Sequence, residues 1–238
     1  MNLFPQLRCL LCHEIILPTI GWNALFSAEK EKLLCAACEG KLEKISGECC
    51  RICSRPFSQL DVQFRHGDLC NDCVRWEEDP EWSGYLDKNV SLFHYNDFLK
   101  EVIARYKFRG DYLIAKVFAE QMKSELALLD YDFLVPIPLS EERLYERGFN
   151  QAEALLAESG YTPTSLLTRI HSEKQSKKSR NERIHVPQVF QVSEDRELNG
   201  KLILLVDDIY TTGSTLRHAA KVLKGAGADR IQSLTLAR

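Results

Sequence analysis

The stretch "LILLVDDIYTTGST" occupies residues 202–215. Residues 202–206 are all Leu, Ile or Val, the mark of a strand buried on both faces in a parallel sheet. Asp207 and Asp208 follow at once, and burial of such acids is unfavourable unless a partner compensates it. Thr211, Thr212, Gly213, Ser214 and Thr215 then form a small-residue turn ahead of a helical pattern, "GSTLRHAAKVLKGAGA" (213–228). In an open α/β sheet, ligands bind outside the carboxyl ends of the strands, where this turn would lie.

Backbone N–H groups at such a turn attract an anion, and a glycine lets the backbone come close to it. A phosphate in the turn, with two vicinal hydroxyls on the neighbouring carboxylates, describes a ribose 5-phosphate. The chain contains no G-x-x-x-x-G-K-[ST], so this is not a Walker loop. Around this strand the pattern alternates between further strands ("VSLFHY" 90–95, "YDFLVPIPL" 131–139, "TSLLTRI" 164–170, "RIQSLTLA" 230–237) and helices (96–108, 112–129, 150–159). The expected fold is α/β, a mostly parallel sheet with helices on both faces, over residues 89–238.

All nine cysteines lie within residues 9–73, which separates an amino-terminal module, residues 1–80, from the rest. Eight of them form four C-x-x-C pairs: Cys9/Cys12, Cys35/Cys38, Cys50/Cys53 and Cys70/Cys73. Sixteen residues separate the last two pairs and 22 the first two, which suits zinc ribbons. Four thiolates complete a structural zinc site, so two Zn²⁺ are expected. Sequential and cross-braced pairings both fit the count; disulfides and iron–sulfur clusters are the alternative readings of the thiols. Two half-modules of about 40 residues bury too little core alone, and metal binding would supply the missing folding energy. The module carries nine Lys+Arg against twelve Asp+Glu, which suits protein docking better than a generic DNA clamp.

A formal net charge of −3 argues against indiscriminate binding to nucleic acid or anionic membrane. The amino terminus lacks a charged n-region and a cleavage site, and a cytoplasmic protein is expected.

An apolar strand, two acids and the T-T-G-S-T turn resemble the phosphoribosyl pyrophosphate (PRPP) signature of type I phosphoribosyltransferases. That likeness implies that Asp207 and Asp208 hold the ribose hydroxyls and that Thr211 to Thr215 cradle the 5-phosphate. "YKFRGD" (106–111) and "FLVPIPLSEERLYERGFNQA" (133–152), joined to paired C-x-x-C knuckles, further resemble the ComF/GntX-like family of late-competence proteins. This likeness runs over essentially the whole chain. It implies that Pro136 to Ser140, Arg143 and Arg147 face the pyrophosphate, with Mg²⁺ carried by PRPP itself. The segment 169–190 resembles the basic loop that closes over PRPP, and Lys177 would join Arg143 and Arg147 in neutralising the leaving group. Lys174, Lys177, Lys178, Arg180 and Arg183 would equally suit nucleic-acid phosphates. The family implies a role in DNA uptake, with single-stranded DNA and a ComFA-like helicase ATPase as partners. An active phosphoribosyltransferase with an unknown acceptor is the competing expectation, and no segment identifies that acceptor. A PRPP-sensing regulator finds little support, because no helix-turn-helix is readable.

Overall fold

The computed structural model describes residues 7–17, 32–170, 189–193 and 196–238. In the first half-module, Arg8 and Ile15 bridge across the turn that carries Cys9 and Cys12. Helix α1 (Ala36–Glu39) begins directly after Cys35, so Cys38 falls on its first turn. The second half-module repeats the device. Strands β1 (Arg65–His66) and β2 (Leu69–Cys70) form a hairpin, and α2 (Asn71–Glu78) starts after Cys70 with Cys73 on its first turn. Helix amino-terminal N–H groups thereby face the thiols, the polarity that favours thiolates.

The remainder runs β3 (Lys88–Phe93), α3 (Asp97–Phe108), α4 (Ile114–Leu126), β4 (Phe133–Pro136), α5 (Glu141–Arg147) and α6 (Gln151–Glu158). It continues with β5 (Leu167–Arg169), β6 (Phe190–Val192), β7 (Leu202–Ile209), α7 (Ser214–Gly225) and β8 (Arg230–Ala237). Four strands form a parallel sheet in the order β3-β8-β7-β4, with β8, the last in sequence, in the interior. Asn96 caps α3 by accepting from the Leu99 N–H, as a cap at that position should.

Alternation along β7 divides the core. Leu204 and Val206 pack with α3, α4 and α6, whereas Ile203 and Leu205 pack with α7 on the other face. Each face also receives one half-module. Cys9, Leu11, Ile16 and Cys38 join the first apolar cluster, and Cys50, Ile52, Cys53, Cys70 and Cys73 the second. Where the second half-module meets the sheet, the strands are polar. Asn89 Nδ2 donates to Ser91 Oγ (2.7 Å), Ser233 Oγ donates to Asn89 Oδ1 (2.8 Å), and the Ser91 and Thr235 hydroxyls are 2.7 Å apart. The ribbon completes this buried network: Asn89 N donates to Ile52 O, and Ser54 Oγ donates to Asn89 O. A satisfied network of this kind fixes one docking geometry, because any slip would strand buried polar atoms.

The stretch 164–170 departs from expectation. Its residues 167–169 leave the parallel sheet and pair antiparallel with β6, Thr168 opposite Gln191. Hydrophobic pattern establishes that a segment is extended, but not which strand it pairs with. Here Leu167 and Phe190 are buried in the α7-side cluster. The basic residues Lys174, Lys177, Lys178, Arg180 and Arg183 lie outside the described residues.

Candidate functional site

β7 delivers Asp207 and Asp208 to the carboxyl end of the sheet, and residues 210–213 turn into α7. Gly213 sits at φ +79° as the residue that caps α7. A Cβ there would collide with the Oη and Cζ of Tyr210, whose side chain lies across the turn. Position 213 therefore excludes side chains both by backbone conformation and by space. The Thr211, Thr212 and Gly213 N–H groups find no acceptor among the described residues. The carbonyls of the same three peptide units, those of Tyr210, Thr211 and Thr212, are tied down on the opposite side. Arg238 Nη1 donates to Tyr210 O (3.2 Å) and Thr211 O (2.7 Å), and Trp76 Nε1 donates to Thr212 O (2.9 Å). With three successive carbonyls held on one side, the N–H groups are left to serve a ligand on the other.

The two acids differ. Asp208 is buried and pairs with Lys107 Nζ at 2.8 Å, at the end of α3. Asp207 makes no ion pair among the described residues, and its Oδ1 accepts only the Asp208 N–H. Burial, then the negative charge of Asp208, pushes the Asp207 carboxyl up to about 7, against the pull of Lys107. Asp207 is thus short of donors, which suits a magnesium-bearing sugar whose hydroxyls donate to the carboxylate.

Cations gather opposite. Arg147 is half-buried, donates to Gln151 Oε1 (2.8 Å) and stacks over Phe108. Burial lowers its pKa while Asp208 and Asp207 pull it back up; the burial-lowered pKa of Arg169 is likewise pulled up by Asp207. Arg143 lies within electrostatic reach of both guanidiniums, on the same short helix as Arg147. The "RGFNQ" motif builds this corner residue by residue. Gly148 turns the chain at φ +80° after α5, and Phe149 packs edge-on against Tyr112 and tilted against Tyr106. Asn150 caps α6 with Oδ1 and ties the loop after β4 through Nδ2 to Ile137 O (3.0 Å). Gln151 holds Arg147.

The described cysteines settle the pairing as sequential. Cys9, Cys12, Cys35 and Cys38 converge in one set, and Cys50, Cys53, Cys70 and Cys73 in another, with the Sγ atoms of each set within 4.8 Å of one another. Cys49 belongs to neither set; its thiol faces Gly47 O. Four sulfurs with no other ligand type and no open position suit structural zinc. The second set is wholly buried, and Arg238 Nη2 donates to Cys53 Sγ at 3.1 Å, a bond that suits a metal-held thiolate.

Sequence reasoning named the two acids, the turn, Arg143, Arg147 and the eight cysteines, and the described structure brings each group together as a group. It overlooked Lys107, Arg169, Trp76 and Arg238. Lys107 lies inside the quoted "YKFRGD", where it reads as an ordinary cation in the last turn of a helix.

A parallel sheet with an acid pair and an open N–H turn at its carboxyl end, clasped by two four-cysteine knuckles, defines a phosphoribosyltransferase-like domain with a double zinc ribbon. Residues 2–74 match the double zinc ribbon domain family, and residues 147–238 match the phosphoribosyl transferase domain family. The chain is 41% identical to the competence protein ComFC of Bacillus subtilis (strain 168) over 98% of its own length and 95% of that protein. It is 34% identical to ComFC of Streptococcus pneumoniae (strain R6) over 98% and 100% of the two chains. The DNA utilization protein YhgH of Escherichia coli (strain K12) is 26% identical over 86% of this chain and 96% of its own. The chain belongs to the ComFC family of competence proteins.

Proposed function

We propose that the chain binds Mg–PRPP at the end of β7 and acts in competence, handling incoming DNA as a single strand alongside a helicase ATPase. The observation that carries the first part is the turn 211–213, whose N–H groups find no acceptor among the described residues while the carbonyls of residues 210–212 are held, beside Asp207, which has no ion pair among those residues. In this reading Asp207 and Asp208 accept the ribose hydroxyls, and Thr211, Thr212, Gly213, Ser214 and Thr215 surround the 5-phosphate. Arg143, Arg147 and Arg169 offset the pyrophosphate charge. Asp207 and Asp208 would lie nearest any magnesium carried by PRPP, which would supply positive charge against the pyrophosphate. Competence is the role named for its relatives, and no helix among the described residues is long and apolar enough to cross a membrane.

Calorimetry with Mg–PRPP tests the site. Wild type should bind with a rise in melting temperature, and the Asp207→Asn/Asp208→Asn double variant should lose at least about 100-fold in affinity. Equal binding by the two proteins would move the pocket elsewhere.

The DNA part predicts salt-dependent binding of single-stranded oligonucleotides by the full chain. Neutralising Lys177, Lys178 and Arg180 together should flatten the logarithmic salt slope by about 2, at about 0.7 per phosphate contact. An unchanged slope would remove these residues from the interface and leave a protein partner as the link to DNA.

A second reading is transfer of the ribosyl phosphate to an acceptor; a cavity of about 390 Å³ lies beside the turn, on its Arg238 side. Pro56, Leu60, Tyr95, Tyr210, Thr211 and Arg238 are among its walls, enough room for a planar base. In that reaction the bond from ribose C1 to pyrophosphate breaks, a bond to the acceptor nitrogen forms, and the acceptor loses a proton. Release of pyrophosphate from Mg–PRPP on adding free nucleobases would support transfer; none across adenine, guanine, hypoxanthine and uracil would count against base transfer.

A further inference from the structure

We propose that Arg238 makes the second four-cysteine centre a working part of the phosphate turn, so that metal binding there and PRPP binding strengthen one another. The inference rests on the PRPP reading above.

The guanidinium of Arg238 spans the two sites. Nη2 donates to the Cys53 sulfur, Nη1 donates to the carbonyls of Tyr210 and Thr211, and Cζ lies 4.7 Å from the centre of the Tyr210 ring. That ring in turn fills the space over Gly213. The same half-module supplies the third carbonyl clamp, Trp76, which stacks under the fully buried Arg217 of α7. Arg217 Nη1 donates to Glu77 Oε1 (2.9 Å), one residue further along α2. Every bond that aims the turn's N–H groups outward thus originates at or beside the second centre.

A zinc ion with four thiolates carries a net charge of −2, a strong acceptor for a buried fork of donors. Without metal, nothing ties the four sulfurs to one point, and Cys53 is no longer held in place opposite Arg238. Arg238 is then a buried cation without a full partner, and its cheapest recourse is to turn towards solvent. Tyr210 O and Thr211 O lose their donor, and the turn is free to rotate its peptide planes. A turn that must be re-ordered binds phosphate less tightly. Linkage makes the effect reciprocal: PRPP, by fixing the turn, holds Arg238 against Cys53 and tightens metal binding. Among the described residues, the first centre lacks this connection. Its half-module meets α3 through Arg105 and the carbonyls of Leu10 and Leu11, not through a thiolate and the phosphate turn.

Cadmium-113 NMR of the full chain, with ¹¹³Cd in place of zinc, reads both centres separately, one resonance for each four-cysteine set. Arg238→Met should displace one resonance, and Mg–PRPP added to wild type should displace that same resonance and leave the other in place. Calorimetry on Arg238→Met with both metals retained should give about tenfold weaker PRPP binding. Arg238→Lys keeps the charge but not the fork, and should weaken binding like Met; full affinity in Arg238→Lys would overturn the bridge. So would a PRPP shift in neither resonance, in both alike, or in the one that Arg238→Met leaves unmoved. Should Arg238→Met not fold, Trp76→Phe removes only the Thr212 clamp; weaker PRPP binding is then expected, with PRPP still displacing one resonance of the two, and wild-type affinity would overturn the clamp. No calorimetric signal from metal-loaded wild type would mark failure of the PRPP reading itself. Binding with both resonances static would mark failure of the coupling alone.

Discussion

Gly213→Ala is expected to abolish detectable Mg–PRPP binding and to destabilise the protein by about 2–4 kcal/mol. Two costs add at this position. The backbone sits at φ +79°, which a side chain resists, and the new methyl would occupy the place of the Tyr210 ring. Either the turn opens or Tyr210 leaves its buried site, and both outcomes move the N–H groups of residues 211–213. In a chain of 238 residues this corresponds to a fall in melting temperature of roughly 5–10 °C. Calorimetry and a thermal melt measure both effects. The double variant Tyr210→Leu/Gly213→Ala relieves the collision but not the backbone strain, so it should recover part of the stability and little of the binding. Wild-type affinity in Gly213→Ala would show that the phosphate binds elsewhere.

Asp207→Asn should separate stability from binding, with opposite signs. The folded-state pKa of Asp207, about 7, lies well above that of an unfolded aspartate, about 3.9. Between those values the folded chain holds a proton that the unfolded chain releases, so stability from this group falls as pH rises through the window. Above pH 7 the whole penalty of an ionised, poorly partnered carboxylate persists. The amide removes it. Ligand-free Asp207→Asn is therefore expected to be more stable than wild type by on the order of 2 kcal/mol at pH 8, a gain that shrinks as pH falls towards 4. Mg–PRPP binding should weaken by at least about tenfold in the same protein, since an amide is a poorer acceptor for a sugar hydroxyl and carries no charge for magnesium. Melting curves across pH, with and without ligand, give both quantities. A destabilised Asp207→Asn at pH 8 would mean that the carboxylate has a structural partner.

What was legible in the sequence was local. Residues 202–215 announce a buried strand, two acids and an anion-receptive turn because each statement is made by neighbours in the chain. The cysteine pairs announce metal knuckles for the same reason, although the choice between sequential and cross-braced pairing needed three dimensions. Lys107 and Arg238 were not legible: one ends a helix and the other follows a strand, places where basic residues are common. Their partners stand 101 and 185 residues away, Asp208 and Cys53 respectively. The polar face of β3 and β8 was equally silent. Asn89, Ser91, Ser233 and Thr235 read as a weak strand pattern until the second half-module is seen to cover them.

The strand order carries a consequence for biosynthesis. β3 pairs within the sheet only with β8, and their hydroxyl contact joins residues 144 positions apart. A ribosome adding about 5–20 residues per second leaves β3 without that neighbour for roughly 7–30 s. During that interval Asn89 and Ser91 lack their partners on β8, and the nascent chain offers an open edge to any other extended segment. The second half-module, already synthesised, can dock on Asn89 through the Ile52 carbonyl and the Ser54 hydroxyl and cover the opposite edge of β3. Cells short of zinc should therefore lose this protein during synthesis, to aggregation and proteolysis, more than they lose molecules already complete.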